Sequence, residues 1–194
     1  MATVTLFDPA GQALGHTLAG SAAAQLLRTL GIEAGAWALR AQPLSSVPWL
    51  TYARELQAMQ RRFGSLRTDR LRRRGAMTPR DTAGLPKWPE PDAAHSHDDL
   101  ELRVVLDGAA RFVVHAPAAG GWVAVDGEAG DWVALPPGLV HAFFDDAARG
   151  IDMLRIFTRP QGWRAEPAAL PVPPALARRE WARFAPELPF RMAA

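Results

Sequence analysis

The feature that most constrains this chain is a procession of short apolar runs in its second half. Residues 100–106, 110–116, 122–125, 131–135, 141–144 and 151–157 follow one another with only Gly, Pro and Asp signals between them. Each run suits a strand and is too short for an ordinary helix. Many short strands at close spacing close into a sandwich or a barrel. At 194 residues with 48% apolar side chains, the chain has the material for one sizeable core. A mainly β single domain over 1–194 is therefore expected, with the barrel core over about 95–160 and an N-terminal extension over 1–94.

The first half reads differently. Thr3–Phe7 predicts a strand. Residues 21–30 place Ala22, Leu26, Leu27 and Leu30 at helical spacing, and Gly31 follows as a C-terminal stop. Residues 32–39, containing Trp37, predict another strand. A second helix is expected over 48–63, with Leu50, Ala53, Leu56, Met59 and Phe63 on one face. The stretch 64–94 is first basic and then rich in proline, so an irregular connection is expected there. Residues 173–184 predict a closing helix that packs through Leu176, Trp181 and Phe184.

Chemistry-bearing residues concentrate at the entrance to the strand region. His95, His97, Glu101 and Arg103 all carry odd numbers. In an extended chain residues two apart share a face, so all four can point toward a barrel interior. Pro137-Gly138 suits the centre of a type II turn, because proline presets the first dihedral and glycine accepts a positive second one. The strand that leaves this turn begins at His141 and can return past the first segment. Three imidazoles and one carboxylate suit a first-row divalent metal and leave two positions open on an octahedral ion. Such a site requires deprotonated histidines, so metal binding should fail in acid. Arg103, two residues after Glu101, is expected as a cation in the same pocket. His16 and His115 have no such partners, and Asp98 and Asp99 read as turn residues.

Charge and composition narrow the remaining classes. The formal charge is only +2, and there is no cysteine, so neither disulfides nor thiolate metal sites arise. Residues 61–80 hold eight arginines and one aspartate. A solvated face and an electropositive rim that attracts an anion both fit this run. RNA binding fits poorly, because the aromatic interleaving of single-strand binders is nearly absent. No signal peptide and no membrane-length apolar run is visible, so a cytoplasmic protein without membrane or nucleic-acid partners is expected. A monomer is the simplest assembly.

The two motifs His95-x-His97-x3-Glu101-x6-Gly108 and Gly130-x5-Pro136-x-Gly138-x2-His141 resemble the paired motifs of the cupins. Two positions depart from that pattern: Pro89 stands where a glycine opens the first motif, and Asp145 where an asparagine closes the second. Within the cupins the chain is most similar to the acireductone dioxygenases. The likeness rests on Glu101-x-Arg103, on Leu154-Arg155-Ile156-Phe157 followed by Gly162-Trp163, and on the early helix with Gly31-Ile32-Glu33 and Trp37. It weakens over 64–94.

The resemblance implies a jelly-roll barrel, or double-stranded β-helix, with peripheral helices. It implies Fe(II) or Ni(II), one ion per chain, held by His95, His97, Glu101 and His141. The implied substrates are an acireductone with a methylthio tail and O2, in methionine salvage. With iron the products are formate and a keto acid; with nickel they are formate, carbon monoxide and a shorter carboxylic acid. Arg103 would stabilise the enediolate. Phe143 and Trp163 would either contact the apolar tail or serve as plain core residues. Two other readings stay open: a cupin dioxygenase acting on a different enediol or diketone, and a non-catalytic metal cupin that senses a small ligand.

Overall fold

The computed structural model describes residues 1–40, 47–73, 93–145 and 150–177. In chain order the elements are β1 (Thr3–Phe7), α1 (Gly20–Thr29), β2 (Glu33–Ala36), α2 (Pro48–Thr51), α3 (Ala53–Phe63) and β3 (Arg67–Arg73). They continue with β4 (His95–His97), β5 (Glu101–Ala116), β6 (Gly121–Glu128), β7 (Asp131–Leu135), β8 (His141–Asp145), β9 (Ile151–Phe157), β10 (Ala165–Pro167) and α4 (Pro174–Ala177). All strand pairings are antiparallel. One face runs β1-β6-β5-β8-β4-β10; the other is built from β2, β7, β5, β9 and β3. Strand β5 belongs to both faces. Its first part pairs with β7 and β9, and its second part with β6 and β8.

That sharing depends on a single bulge. Residues 100–106 and 110–116 read as two strands because Asp107-Gly108 looks like a turn. In the structure they form one strand of 16 residues, with its register shifted between Val105 and Asp107. Gly108 adopts φ +81°, and a Cβ there would lie 2.4 Å from the Gly150 carbonyl oxygen. Only glycine fits such a bend without displacing the facing backbone. The bulge also switches parity. Before it, Val105 faces the interior while Leu102 and Val104 face outward. After it, Ala110, Phe112 and Val114 face inward and Val113 faces outward.

The interior joins Val4, Phe112, Val114, Val123, Val125, Leu135, Phe143 and Met153 from both faces, and α1 adds Ala23 and Leu27. Outside the β7-β5-β9 face, Trp37, Tyr52 and Met59 cover Leu102, Val104 and Ile156. Outside the β6-β5-β8 face, Leu176 covers Val113 and Trp122. Strands buried on both sides explain why these runs are apolar throughout rather than alternating.

Several expected elements change. The helix expected over 48–63 breaks at Tyr52, which has non-helical dihedrals (φ −108°, ψ 28°) and is buried at 1% exposure. Leu50 and Ala53, expected on its packing face, are exposed. The strand expected over 32–39 shortens to β2, with Trp37 just beyond it. Within the expected irregular stretch, residues 67–73 form β3, fully paired with β9. Periodicity could not reveal this strand, because its pairing rests on charge. Arg70 binds Asp152 through Nε and Nη2 at 2.7 and 2.5 Å, Arg155 binds Asp69 at 2.7 and 2.8 Å, and Arg73 reaches Asp145 at 2.5 Å. Part of the arginine run is thus a partly buried ion-paired strand rather than a solvated face. Residues 74–92 lie outside the described residues, as do Trp181 and Phe184 of the expected closing helix.

Candidate metal centre

His95, His97 and His141 converge inside the barrel. Candidate ligand atoms of the three rings lie within 4.8 Å of one another. All three residues are buried, and Glu101 beside them is 1% exposed. His95 stands opposite His141 in the pairing of β4 with β8, which brings the two motifs together. The Pro137-Gly138 turn behaves as expected: Gly138 has φ +77°, and its N–H donates to the His97 carbonyl at 2.8 Å. Inward parity holds for Glu101 and Arg103.

Backbone carbonyls set each imidazole. The Nδ1 atoms lie 2.8 Å from the Ala93 oxygen for His95, 3.2 Å from the Arg164 oxygen for His97 and 2.9 Å from the Leu139 oxygen for His141. A carbonyl can only accept, so each Nδ1 carries a proton, which in the neutral imidazole leaves the lone pair on Nε2. Burial, then the neighbouring His141, pushes His95 down to about 4, so it is neutral at physiological pH.

The ends of these groups that face one another are unsatisfied. Among the described residues, Nε2 of His97, Nε2 of His141 and Oε2 of Glu101 are buried without a hydrogen-bond partner. Nε2 of His141 does lie 2.6 Å from Oε2 of Glu101, and Nε2 of His97 lies 3.4 Å from it. In neutral rings protonated at Nδ1, these are contacts of lone pair with lone pair, which neither side can satisfy. Buried polar atoms are rarely left so. A cation at the shared focus would satisfy all three at once, so this donor set fits a divalent metal.

Arg103 completes the charge arrangement. Its Nε donates to Oε1 of Glu101, leaving Oε2 for the focus. Burial works against charge on Glu101, yet the Arg103 guanidinium beside it holds the carboxyl well below the usual carboxylate range. Burial lowers Arg103 below its ordinary value against the pull of Glu101. A guanidinium nevertheless keeps its proton at neutral pH.

The guanidinium lies over the Phe143 ring, 4.4 Å from its centroid, and 5.1 Å from that of Trp163. Phe143 packs against Phe112 in the core. Trp163 donates from Nε1 to the Leu100 carbonyl at 2.7 Å and lies 5.5 Å from the His97 ring. Both aromatics therefore flank the centre, and both have packing partners as well. Sequence reasoning missed the three carbonyls that orient the histidines, for which no side-chain signal exists. It also missed Asp69, which a lone acid in a basic run could have marked. The cleft of about 470 Å³ beside Arg28, Glu33 and Arg62 shares no residue with this centre.

Fold and site together define a cupin barrel with an inward histidine triad suited to metal. Comparison with known proteins sharpens the class. Residues 92–165 match the ARD/ARD' family. Over 72 residues the chain is 38% identical to an acireductone dioxygenase of Saccharomyces cerevisiae, covering 37% of this chain and 40% of that protein. Over 71 residues it is 37% identical to one from Puccinia graminis, covering 37% of this chain and 39% of that protein. The matched segment thus spans about two fifths of these relatives' length. A solved acireductone dioxygenase from Bacillus anthracis, with a cadmium ion in its active centre, superposes with a TM-score of 0.69. It is 20% identical and covers 86% of this chain and 98% of its own. The chain therefore resembles the acireductone dioxygenase family in sequence across its barrel core and shares the fold well beyond it.

Proposed function

We propose that this chain is a metal-dependent dioxygenase that cleaves an acireductone with O2, as a step of methionine salvage in the cytoplasm. The observation that carries the reading is the set of buried, mutually unsatisfied Nε2 and Oε2 atoms beside a buried arginine, all within the family-matched segment. His95, His97 and His141 would hold the metal through Nε2, and Glu101 through Oε2. Fe(II) and Ni(II) both suit this donor set. Among the described residues no helix is long and apolar enough to cross a membrane.

When bound, the metal supplies Lewis acidity and a template for the two enediol oxygens. The chain's own residues do the rest. Arg103 places a fixed cation two residues beyond Glu101 on the same face of the strand, where a dianion at the centre would need it. A divalent ion, one carboxylate, one guanidinium and an enediolate dianion balance to zero charge in a buried site. Phe143 and Trp163 hold the guanidinium plane and offer apolar surface to the methylthio tail. The carbonyls of Ala93, Leu139 and Arg164 keep the rings in the ligating tautomer, so no proton need leave them when metal enters.

The test is oxygen consumption by iron-loaded and nickel-loaded protein supplied with a synthetic acireductone. Prompt uptake with formate release is expected, with carbon monoxide from the nickel form alone. Stoichiometric metal without uptake would overturn the reading. A second reading, a dioxygenase for another enediol, draws on the family match beginning only at residue 92. Uptake with a different enediol but not with the acireductone would select it.

A further inference from the structure

Strand β4 carries two of the three converging histidines yet is only three residues long. On its barrel side it meets one register pair, His95 with His141, and one bond from the Gly138 N–H. On its other side it is paired along its whole length. Ala165 faces His97, Glu166 faces Ser96 and Pro167 faces His95, and the Ala168 N–H donates to the Ala94 carbonyl at 2.9 Å. The carbonyl that sets the His97 ring belongs to Arg164, which leads into the same segment. The C-terminal segment thus holds more of β4 than the barrel does.

That segment does not end at the sheet edge. From β10 it crosses the outer face of the sheet over β8, β5 and β6. Leu170 and Val172 pack there with Phe144, Val113 and Trp122. At the far side Pro173 meets Gly11, where a Cβ would come within 2.8 Å of the proline ring. The crossing finishes at Leu176, whose side chain is fully buried. Its carbonyl accepts from Nη1 of Arg111 at 3.2 Å, and Arg111 is held by Asp126 at 2.7 and 2.9 Å. A buried bidentate pair that spends a donor on a backbone carbonyl is a fixed point.

We propose that residues 165–177 form a strap that holds the His95–His97 strand in ligating position, with Leu176 and Arg111 as its anchor. The inference rests on the metal reading above and extends it to positioning residues on the opposite face of the sheet. Loosening the anchor should let β4 separate from β8 while the barrel stays folded. Metal would then escape faster, although every donor residue is still present.

The experiment follows Ni(II) release from loaded protein into excess chelator, for wild type, Leu176→Ala and Met59→Ala. Met59 is buried on the outer face of the other sheet and serves as the matched core truncation. Release from Leu176→Ala should be about tenfold faster than from Met59→Ala, the effect typical of groups that orient ligands. Leu176→Met, which refills the anchor, should restore the wild-type rate. If Leu176→Ala fails to fold, Arg111→Lys keeps the charge against Asp126 but gives up the guanidinium bond to Leu176, and should accelerate release in the same sense. Equal release from the Leu176 and Met59 variants, or wild-type release from Arg111→Lys, overturns the strap and leaves the metal reading intact. A wild-type chain that takes up no Ni(II) overturns both.

Discussion

Replacing Arg103 with methionine removes the cation but keeps much of the side-chain volume, so the electrostatic role can be isolated. Arg103 is 8% exposed and its partner Glu101 is 1% exposed, so the variant strands a buried carboxylate. Removing one member of a buried pair costs about 3–5 kcal/mol. For a chain of this length each kcal/mol shifts the melting midpoint by roughly 2–4 °C, so the metal-free variant should melt on the order of 10 °C lower. Metal should recover part of this loss, because a divalent ion returns positive charge to Glu101.

The pH dependence has a definite sign. Glu101 titrates below its ordinary value, so the stability it contributes is complete above about pH 4.3 and is lost as pH falls through its folded-state value. Without Arg103 that depression shrinks, and so should the acid-side loss. Turnover on the acireductone should drop by about a hundredfold or more, the usual cost of losing a fixed donor to developing negative charge. Thermal melts with and without Ni(II), and oxygen-uptake kinetics on the loaded variant, measure both effects. A metal-free midpoint within 2 °C of wild type, as a rough bound set by the same scaling, together with unchanged turnover, would refute the assigned role.

Two further outcomes follow from the same geometry. His97→Ala and Glu101→Ala should each lose most bound metal after dialysis, and full occupancy by elemental analysis would contradict the ligand set. Gly108→Ala should be strongly destabilising, because its Cβ would lie 2.4 Å from the Gly150 oxygen at a φ of +81°. A urea midpoint equal to wild type would mean that the bulge is not needed to bend β5.

The candidate site was legible because ligation demands few residue types at spacings that strand geometry constrains. Parity groups His95 with His97 and Glu101 with Arg103, and Pro137-Gly138 announces the turn before His141. The fold was legible where burial shapes the sequence, as in β7 and β9, whose bounds match the apolar runs. It was opaque where other forces decide. Asp107-Gly108 has the composition of a turn, yet the chain runs through it as a bulge, because the facing Gly150 backbone leaves room for nothing else. Residues 67–73 lack any apolar period, and only the partners Asp145, Asp152 and Arg155 on distant strands reveal why they pair.

By itself, then, the sequence determined the chemistry on offer: three imidazoles, a carboxylate and a guanidinium on strands of a mainly β chain. These depend on residue identity and on a period of two, which are local properties. The tertiary structure decided which atoms meet. Carbonyls of Ala93, Leu139 and Arg164 select Nε2 on each ring, and Arg103 takes Oε1 of Glu101 and leaves Oε2 for the focus. The segment after Trp163, uninformative as sequence, becomes the partner of the histidine strand. Backbone carbonyls and strand partners carry no side-chain signature, so their placement exists only once distant parts of the chain have met.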